Sequence, residues 1–167
     1  MNWNSGVDWI IQTSLDYLIR LYTEEDLDGV LRIEKQSFER PWSSNMFEAL
    51  FIINPPGFYV VSVQDTIVGY AIVLYEQGFG HTKMLGEAHL INIAVDPAYR
   101  RQGIGTNLVN TMISDIKKAN LTRIHLEVRV SNKTAVAFYG KVGFESISTV
   151  KGFYGNEDAL VMIKDIF

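Results

Sequence analysis

Seven consecutive residues form a basic turn with two glycines, and their chemistry suits an anion: Arg100, Arg101, Gln102, Gly103, Ile104, Gly105 and Thr106. An apolar run precedes the turn and a helical pattern follows it, which predicts a strand, this turn and an amphipathic helix. Glycine lets a backbone approach a ligand closely, and the first N–H groups of a helix have no partner inside the helix. The arginines and the helix dipole add positive charge, so the turn is suited to a phosphate or diphosphate.

Two common phosphate-binding motifs do not fit this turn. The dinucleotide fingerprint needs glycine or alanine at position 108, where this chain has Leu108. The mononucleotide-binding loop needs a lysine after its last glycine, and Thr106 follows here. The remaining pattern resembles the acetyl-CoA-binding motif of the GNAT superfamily of N-acetyltransferases, here Arg100-x-x-Gly103-x-Gly105 after Val95-Asp96-Pro97.

A second segment, residues 131–144, carries the same resemblance. Its sequence predicts a capped helix that ends at Gly143. It is similar to the GNAT hallmark Asn-x-x-Ala-x-x-Phe-Tyr-x-x-x-Gly-Phe, and the two hallmarks stand in the family's order. The resemblance covers about residues 18–167 and implies a GNAT fold. We therefore expect a single α/β (α+β) domain with a mixed, mostly antiparallel central sheet flanked by helices.

The resemblance also implies how a donor, acetyl-CoA, would be held. It assigns the pantetheine arm to the backbone of Ile93, Ala94 and Val95, with an N–H near Val95 facing the thioester carbonyl. It assigns the diphosphate to residues 100–106. Asn132 and Tyr139 correspond to family positions that face the cofactor. No metal is expected.

Acetyl transfer to an amine needs an unprotonated amine, a stabilised oxyanion and a proton for the departing thiolate. Tyr139 is our choice of general acid, because a phenol with a pKa of about 10 stays protonated at neutral pH. Glu127 is the leading candidate for the base, since the family's ribosomal-protein alanine acetyltransferases have a glutamate at this place in the strand. His89 matches a position that some family members use and is the second candidate. The expected mechanism is direct attack in a ternary complex.

Two loops resemble the peptide groove of family members that acetylate protein N-termini. The first contains a Pro-Trp-Ser sequence and supplies four candidates for the groove wall: Phe38, Glu39, Arg40 and Pro41. The second resembles the Tyr-Tyr-x-x-x-Glu-Asp-Ala segment of archaeal and eukaryotic Nα-terminal acetyltransferase catalytic subunits, although Phe153 lacks the hydroxyl of the first tyrosine. Glu34 and Tyr154 are candidates for contacting the peptide backbone or its amine.

These features favour the acetylation of protein or peptide N-termini, with the ribosome or nascent chains as further candidate partners. Two alternatives stay open. The acceptor could be lysine, a polyamine or an antibiotic amine, or the protein could be a CoA-binding regulatory subunit without turnover. The sequence does not specify the preferred first residues of a substrate or the oligomeric state.

The elements that position these residues follow from the hydrophobic pattern. Strands are predicted over residues 17–22, 58–63, 67–75, 89–95, 121–130, 145–150 and 160–165. Helices are predicted from Thr23 to Ser37 or Phe38, after a cap at Ser43 or Ser44, after the basic turn, and over residues 131–144. The strand over 121–130 places His125, Glu127 and Arg129 on one face, which fits either a solvated face or the wall of a cleft. Residues 1–16 are interpreted as an N-terminal extension, and residues 17–167 as the domain.

Composition excludes several classes of protein. The net charge of −4 argues against a general nucleic-acid binder, because such proteins use broad basic surfaces. The chain has no cysteine, which excludes disulfides, thiolate metal sites and a cysteine nucleophile. It also has neither a signal-peptide pattern nor an apolar run long enough to span a membrane. We expect a cytoplasmic protein that does not associate with membranes.

Overall fold

The computed structural model describes residues 15–76 and 86–166, which contain seven strands and four α-helices. The strands are β1 (Leu18–Leu21), β2 (Phe58–Val63), β3 (Thr66–Glu76), β4 (Glu87–Val95), β5 (Arg123–Arg129), β6 (Glu145–Val150) and β7 (Ala159–Asp165). The helices are α1 (Leu27–Ser37), α2 (Ser44–Ile53), α3 (Ile104–Lys118) and α4 (Lys133–Lys141). The proposed N-terminal extension up to residue 14 and the loop over residues 77–85 lie outside the described residues.

The strands form one sheet in the order β1-β2-β3-β4-β5-β7-β6. Neighbouring strands are antiparallel except β4 and β5, which are parallel. The expectation of a single α/β domain with a mixed, mostly antiparallel sheet is confirmed. In the described residues no helix has the length and apolar character needed to cross a membrane.

Successive residues of β2 point to opposite faces of the sheet, and each face has its own apolar core. Tyr59 and Val61 join the core that contains the apolar side of α3, including Leu108 and Met112. Phe58 and Val60 join the other core, which contains residues of α1 and α2. The amphipathic pattern of residues 104–118 therefore correctly predicted a helix packed on the sheet.

The first helix begins later than the sequence predicts. A short 3₁₀ turn over Glu24–Asp26 follows Thr23, and α1 starts at Leu27. The Asp26 carboxylate accepts hydrogen bonds from the Thr23 N–H at 2.8 Å and from the Arg20 guanidinium at 2.6 Å. These hydrogen bonds stabilise the 3₁₀ turn that precedes α1. The predicted end of the helix at Ser37 is confirmed.

Strands β4 and β5 are hydrogen-bonded to each other over only a few residues. Glu87, Ala88 and His89 pair with Arg123, Ile124 and His125, and the two strands have no paired residues beyond that point. Both strands nevertheless continue, to Val95 and Arg129. The sheet is thus split between β4 and β5 from His89 onward, and the candidate catalytic residues lie where the split begins.

Candidate active site

The basic turn over residues 100–106, called the phosphate turn below, offers a group of unpaired backbone donors. Within the described residues, the six N–H groups of residues 101–106 donate to no protein atom. Arg101 and Gly103 both adopt left-handed backbone conformations, with φ of 65° and 82°. Turns of this kind direct successive N–H groups into one concave surface, which binds anions. The donors of this turn therefore fit a diphosphate.

The two arginines of the phosphate turn differ in their contacts. The Arg100 side chain donates from Nε to the Val95 carbonyl at 2.8 Å and from Nη2 to the Ser37 hydroxyl at 3.3 Å. It therefore fastens the turn to the end of β4 and to α1. Arg101 is exposed and makes no ion pair within the described part of the chain. Contact of the Arg100 guanidinium with a cofactor stays a prediction, since its Nε and Nη2 already donate to protein atoms.

The segment between β4 and the phosphate turn is held by an ion pair to helix α1. Asp96 accepts a hydrogen bond from the Ala98 N–H at 3.0 Å and pairs with the Arg32 guanidinium at 2.5 Å. Arg32 also donates to the Ile67 carbonyl. Burial disfavours the ionised carboxylate of Asp96, but the bonds from Arg32 and Ala98 outweigh it and lower the Asp96 pKa. This ionised group holds α1 beside the start of the phosphate turn.

The last residues of β4 present a free backbone edge to the split in the sheet. Ile93, Ala94 and Val95 face Ala71, Tyr70 and Gly69 of β3 on one side. Among the described strands, none pairs with them on the side of β5. An extended ligand can add to such an edge through main-chain hydrogen bonds. The edge leads directly into the phosphate turn, so one long ligand can occupy both.

Helix α4 lies close to the start of α3, the helix that follows the phosphate turn. The Asn132 side chain caps this helix by accepting a hydrogen bond from the Ala135 N–H at 3.1 Å. A Cβ atom at Gly105 would lie 3.3 Å from the Phe138 ring, so glycine at this position allows α3 and α4 to approach closely. The predicted contact of Asn132 with the cofactor stays a prediction, because its oxygen is engaged in the cap.

Tyr139 lies in α4 with its ring in the core and its hydroxyl unpaired. The residue is 9% exposed and packs edge-on against Phe144. Its hydroxyl makes no hydrogen bond within the described residues, so its proton is available to a ligand. Burial, with a smaller contribution from Tyr154, raises the pKa of Tyr139. A phenol in this environment stays protonated at neutral pH, as its predicted role as a general acid requires.

The two candidate bases form one hydrogen-bonded pair. Nε2 of His89 lies 2.6 Å from Oε2 of Glu127, and both side chains are about four-fifths buried, with 23% and 18% of their surface exposed. His89 is opposite His125 in the strand register, and Glu127 is two residues further along the same face of β5. A proton accepted by either side chain is therefore shared by the pair.

The loop between β6 and β7 is fastened to the polar face of β5. The Tyr154 hydroxyl donates to the Glu127 carbonyl at 3.1 Å, and the Arg129 guanidinium lies 4.1 Å from the centre of the Tyr154 ring. Glu157 pairs with Arg129 at 3.0 Å and accepts from the Ser131 N–H at 2.8 Å. Hydrogen bonds from Ser131 and Arg129 lower the Glu157 pKa. The loop thus reaches the backbone of the candidate base.

The loop between α1 and α2 depends on a buried carboxylate. Glu34 is 1% exposed and accepts hydrogen bonds from the Trp42 N–H at 2.9 Å, from the Tyr70 hydroxyl and from the Asn92 amide at 3.4 Å. Its contacts hold the loop in place, and its predicted contact with a substrate stays a prediction. Four candidates for the groove wall are exposed on this loop: Phe38, Glu39, Arg40 and Pro41.

The chain matches the acetyltransferase (GNAT) family over residues 27–144, a range that includes the phosphate turn and α4. The chain belongs to the GNAT acetyltransferase family. It is 32% identical to an N-alpha-acetyltransferase of Saccharolobus solfataricus over 157 residues, 90% of this chain and 94% of that protein. It is 33% identical to the ribosomal protein bS18-alanine N-acetyltransferase of Escherichia coli (strain K12) over 144 residues, 82% and 89% of the two chains.

The fold of this GNAT acetyltransferase is similar to that of solved proteins. The crystal structure of Ard1 from Thermoplasma volcanium has a TM-score of 0.80 and 27% identity, over 90% of this chain and 98% of that chain. Other proteins with the same fold, at 15% to 22% identity, have been solved with CoA, acetyl-CoA or a CoA-containing bisubstrate analogue. The alternative of a regulatory subunit without turnover is not favoured, since the family is one of acetyltransferases.

Sequence reasoning did not assign every residue of this acetyltransferase site. The polar face of β5 was open to two interpretations, and the half-buried positions of His125, Glu127 and Arg129 favour the wall of a cleft. Glu157 was not considered as a site residue. The sequence could have indicated it, because an acidic residue in a loop close to Tyr154 can pair with an arginine on the neighbouring strand.

Proposed function

We propose that this GNAT acetyltransferase transfers the acetyl group of acetyl-CoA directly to the α-amine of protein or peptide N-termini. The observation that carries the proposal is the His89–Glu127 pair, whose 2.6 Å contact lies where β4 and β5 separate. A base at this point stands at the head of the free edge of β4. An amine that enters there would meet a thioester held along that edge.

The donor would be held by the phosphate turn and the free edge of β4. The unpaired N–H groups of residues 101–106 and the exposed Arg101 match the charge and hydrogen-bonding needs of a diphosphate. The unpaired side of Ile93, Ala94 and Val95 matches an amide-containing arm. Acetyl-CoA supplies the acetyl group as an activated thioester.

The chain's own residues would then move the protons. The His89–Glu127 pair accepts a proton from the incoming ammonium group, and an α-amine with a pKa of about 8 needs only a modest push. A backbone N–H on the free edge of β4 would donate to the carbonyl oxygen as negative charge develops there. The Tyr139 hydroxyl would give its proton to the departing thiolate. The candidate acid is on α4 and the candidate base pair is on β4 and β5, so different elements carry the two groups.

Two features support an N-terminal acceptor rather than a lysine or a small amine. Relatives that share about a third of their residues with this chain are named for acetylating N-termini, one of them on a ribosomal protein. The loop of Tyr154 contacts the strand that carries Glu127. The exposed loop of Phe38 and Pro41 is held through Trp42 to Glu34, which also contacts Asn92 of β4. Nascent chains at the ribosome in the cytoplasm are the proposed setting, which cell fractionation and ribosome co-sedimentation would test.

A pair of peptides tests the acceptor. Both have the same sequence with one internal lysine, but one has a free α-amine and the other is blocked at the N-terminus. We expect CoA release with the free peptide and little with the blocked one, and mass spectrometry should locate the acetyl group on the first residue. Equal or faster turnover of the blocked peptide would reject the N-terminal assignment and favour lysine.

A further inference from the structure

Three side chains from three neighbouring strands form a cluster that the proposed reaction uses only in part. Glu76 at the end of β3, His89 on β4 and His125 on β5 each offer one ligand atom, and these atoms lie within 4.8 Å of one another. We call these residues the histidine cluster. The imidazole rings are stacked, with centroids 4.3 Å apart. Two imidazoles and a carboxylate are a ligand set that suits a transition metal.

The burial of one ring nitrogen of His125 points to a ligand. Nδ1 of His125 is buried and has no hydrogen-bond partner among the described residues. The nearest acidic oxygen, Oε2 of Glu87, is 3.6 Å away, which is too far for a hydrogen bond. Buried polar atoms are nearly always partnered, and a bound ion is one recognised reason for an exception.

Nε2 of His89 contacts a carboxylate, as the non-ligating nitrogen of a histidine does in many metal sites. Histidines that bind a metal through one nitrogen usually donate the other N–H to a carboxylate, which fixes the ring. Here Nε2 of His89 contacts Glu127 at 2.6 Å, and Nδ1 faces Glu76 at 3.9 Å. Glu127 would be the outer partner and Nδ1 the ligand.

We propose that the histidine cluster binds one divalent transition-metal ion, and that Zn²⁺ is the best match. Zinc accepts two imidazoles and one carboxylate and keeps a fourth position for water. Ligand atoms around tetrahedral zinc are about 3.3 Å apart, given Zn–N distances of about 2.0–2.1 Å. The cluster must therefore contract, with a rotation of Glu76 and a tilt of the stacked rings. The Glu76 side chain is 54% exposed and can rotate at little cost.

The proposed metal site shares His89 with the candidate base pair, a link that rests on the proposed function. With a metal on Nδ1, His89 would contact Glu127 through the N–H of Nε2. The phosphate turn is formed by other residues, so acetyl-CoA binding should be unaffected by zinc. The inference also departs from the sequence-based expectation of a metal-free protein.

The site is tested by titrating the full chain with zinc sulfate in a non-coordinating buffer and measuring the heat of binding. We expect one equivalent per chain. Glu76→Gln and His125→Asn should each weaken binding by at least tenfold, since loss of an outer partner alone costs about 10–100-fold. Glu145→Gln, at an exposed carboxylate on β6, is the matched control and should bind zinc normally. Cobalt(II) gives a second readout, because its tetrahedral absorption should disappear in the same two variants.

Circular dichroism would check that the variants are folded, and Glu76→Gln changes only an exposed side chain. Failure to saturate with zinc, or equal affinity in both cluster variants and the control, would overturn the site. So would binding that is lost only with His81→Ala, the remaining one of the three histidines, which lies outside the described residues. The binding data are independent of turnover, so a zinc site in a protein that acetylates no N-terminus would refute the proposed function alone.

Discussion

Replacing Gly103 by alanine separates the contribution of this glycine to folding stability from its contribution to the binding of acetyl-CoA. Gly103 has a φ of 82°, and a Cβ added there would meet no atom within 4 Å. The substitution therefore creates no clash, but it forces an L-residue into the left-handed region. That conformation costs about 1–2 kcal/mol for a residue with a Cβ. We expect the free energy of unfolding, measured by urea denaturation, to fall by about that amount.

The chain contains a matched control for this change. Gly155, in the loop between β6 and β7, has the same φ of 82° and the same open space around its Cβ position. Gly155→Ala should lose the same unfolding free energy. Gly140→Ala, in α4 with open space and no positive φ, should instead gain about 0.5–1 kcal/mol.

Of these three substitutions, only Gly103→Ala should weaken the binding of acetyl-CoA. The new methyl group would stand beside the unpaired N–H groups and keep the diphosphate at a distance. Losing one hydrogen bond to a charged group costs about 1.5–3 kcal/mol, which corresponds to about a 10- to 100-fold weaker dissociation constant. Isothermal titration with acetyl-CoA measures this directly. If Gly103→Ala and Gly155→Ala bind acetyl-CoA equally well, the diphosphate does not approach this turn and the placement of the donor is refuted.

Four further substitutions, in three tests, probe the proton transfers and the ion pair that precedes the phosphate turn. Tyr139→Phe should lower kcat by about 100-fold or more with little effect on acetyl-CoA affinity, and an unchanged kcat would remove this residue as the acid. Glu127→Gln and His89→Gln should be strongly non-additive in kcat/KM, because they act as one pair, whereas additive losses would show two separate roles. Asp96→Asn should lower the unfolding free energy at pH 7 by about 1–2 kcal/mol, reduced by the partial exposure of Arg32. Since the folded-state pKa of Asp96 is lowered, this loss should shrink as the pH falls below about 4 and through the folded-state pKa, and an equal loss at pH 3 in urea denaturation would contradict it.

The sequence alone determined the features that depend on near neighbours in the chain. The phosphate turn is one of them, since a helix start and the glycine at position 103 expose backbone N–H groups whatever the rest of the fold does. The apolar side of α3 is another, because Leu108 and Met112 recur with the helical period. The two hallmark segments then indicated the family and its fold, a mixed and mostly antiparallel sheet flanked by helices.

Tertiary structure decided how residues far apart in the chain meet. His89 and Glu127 were two competing bases in the sequence, and the register of β4 with β5 makes them one pair. Arg100 and Arg101 are adjacent and alike in the sequence, yet only Arg100 turns back to Val95. The burial of Glu34 depends on Tyr70 and Trp42 from other elements. Local patterns fix backbone conformation, whereas strand register and side-chain packing are set by the whole sheet, and no short stretch of sequence encodes them.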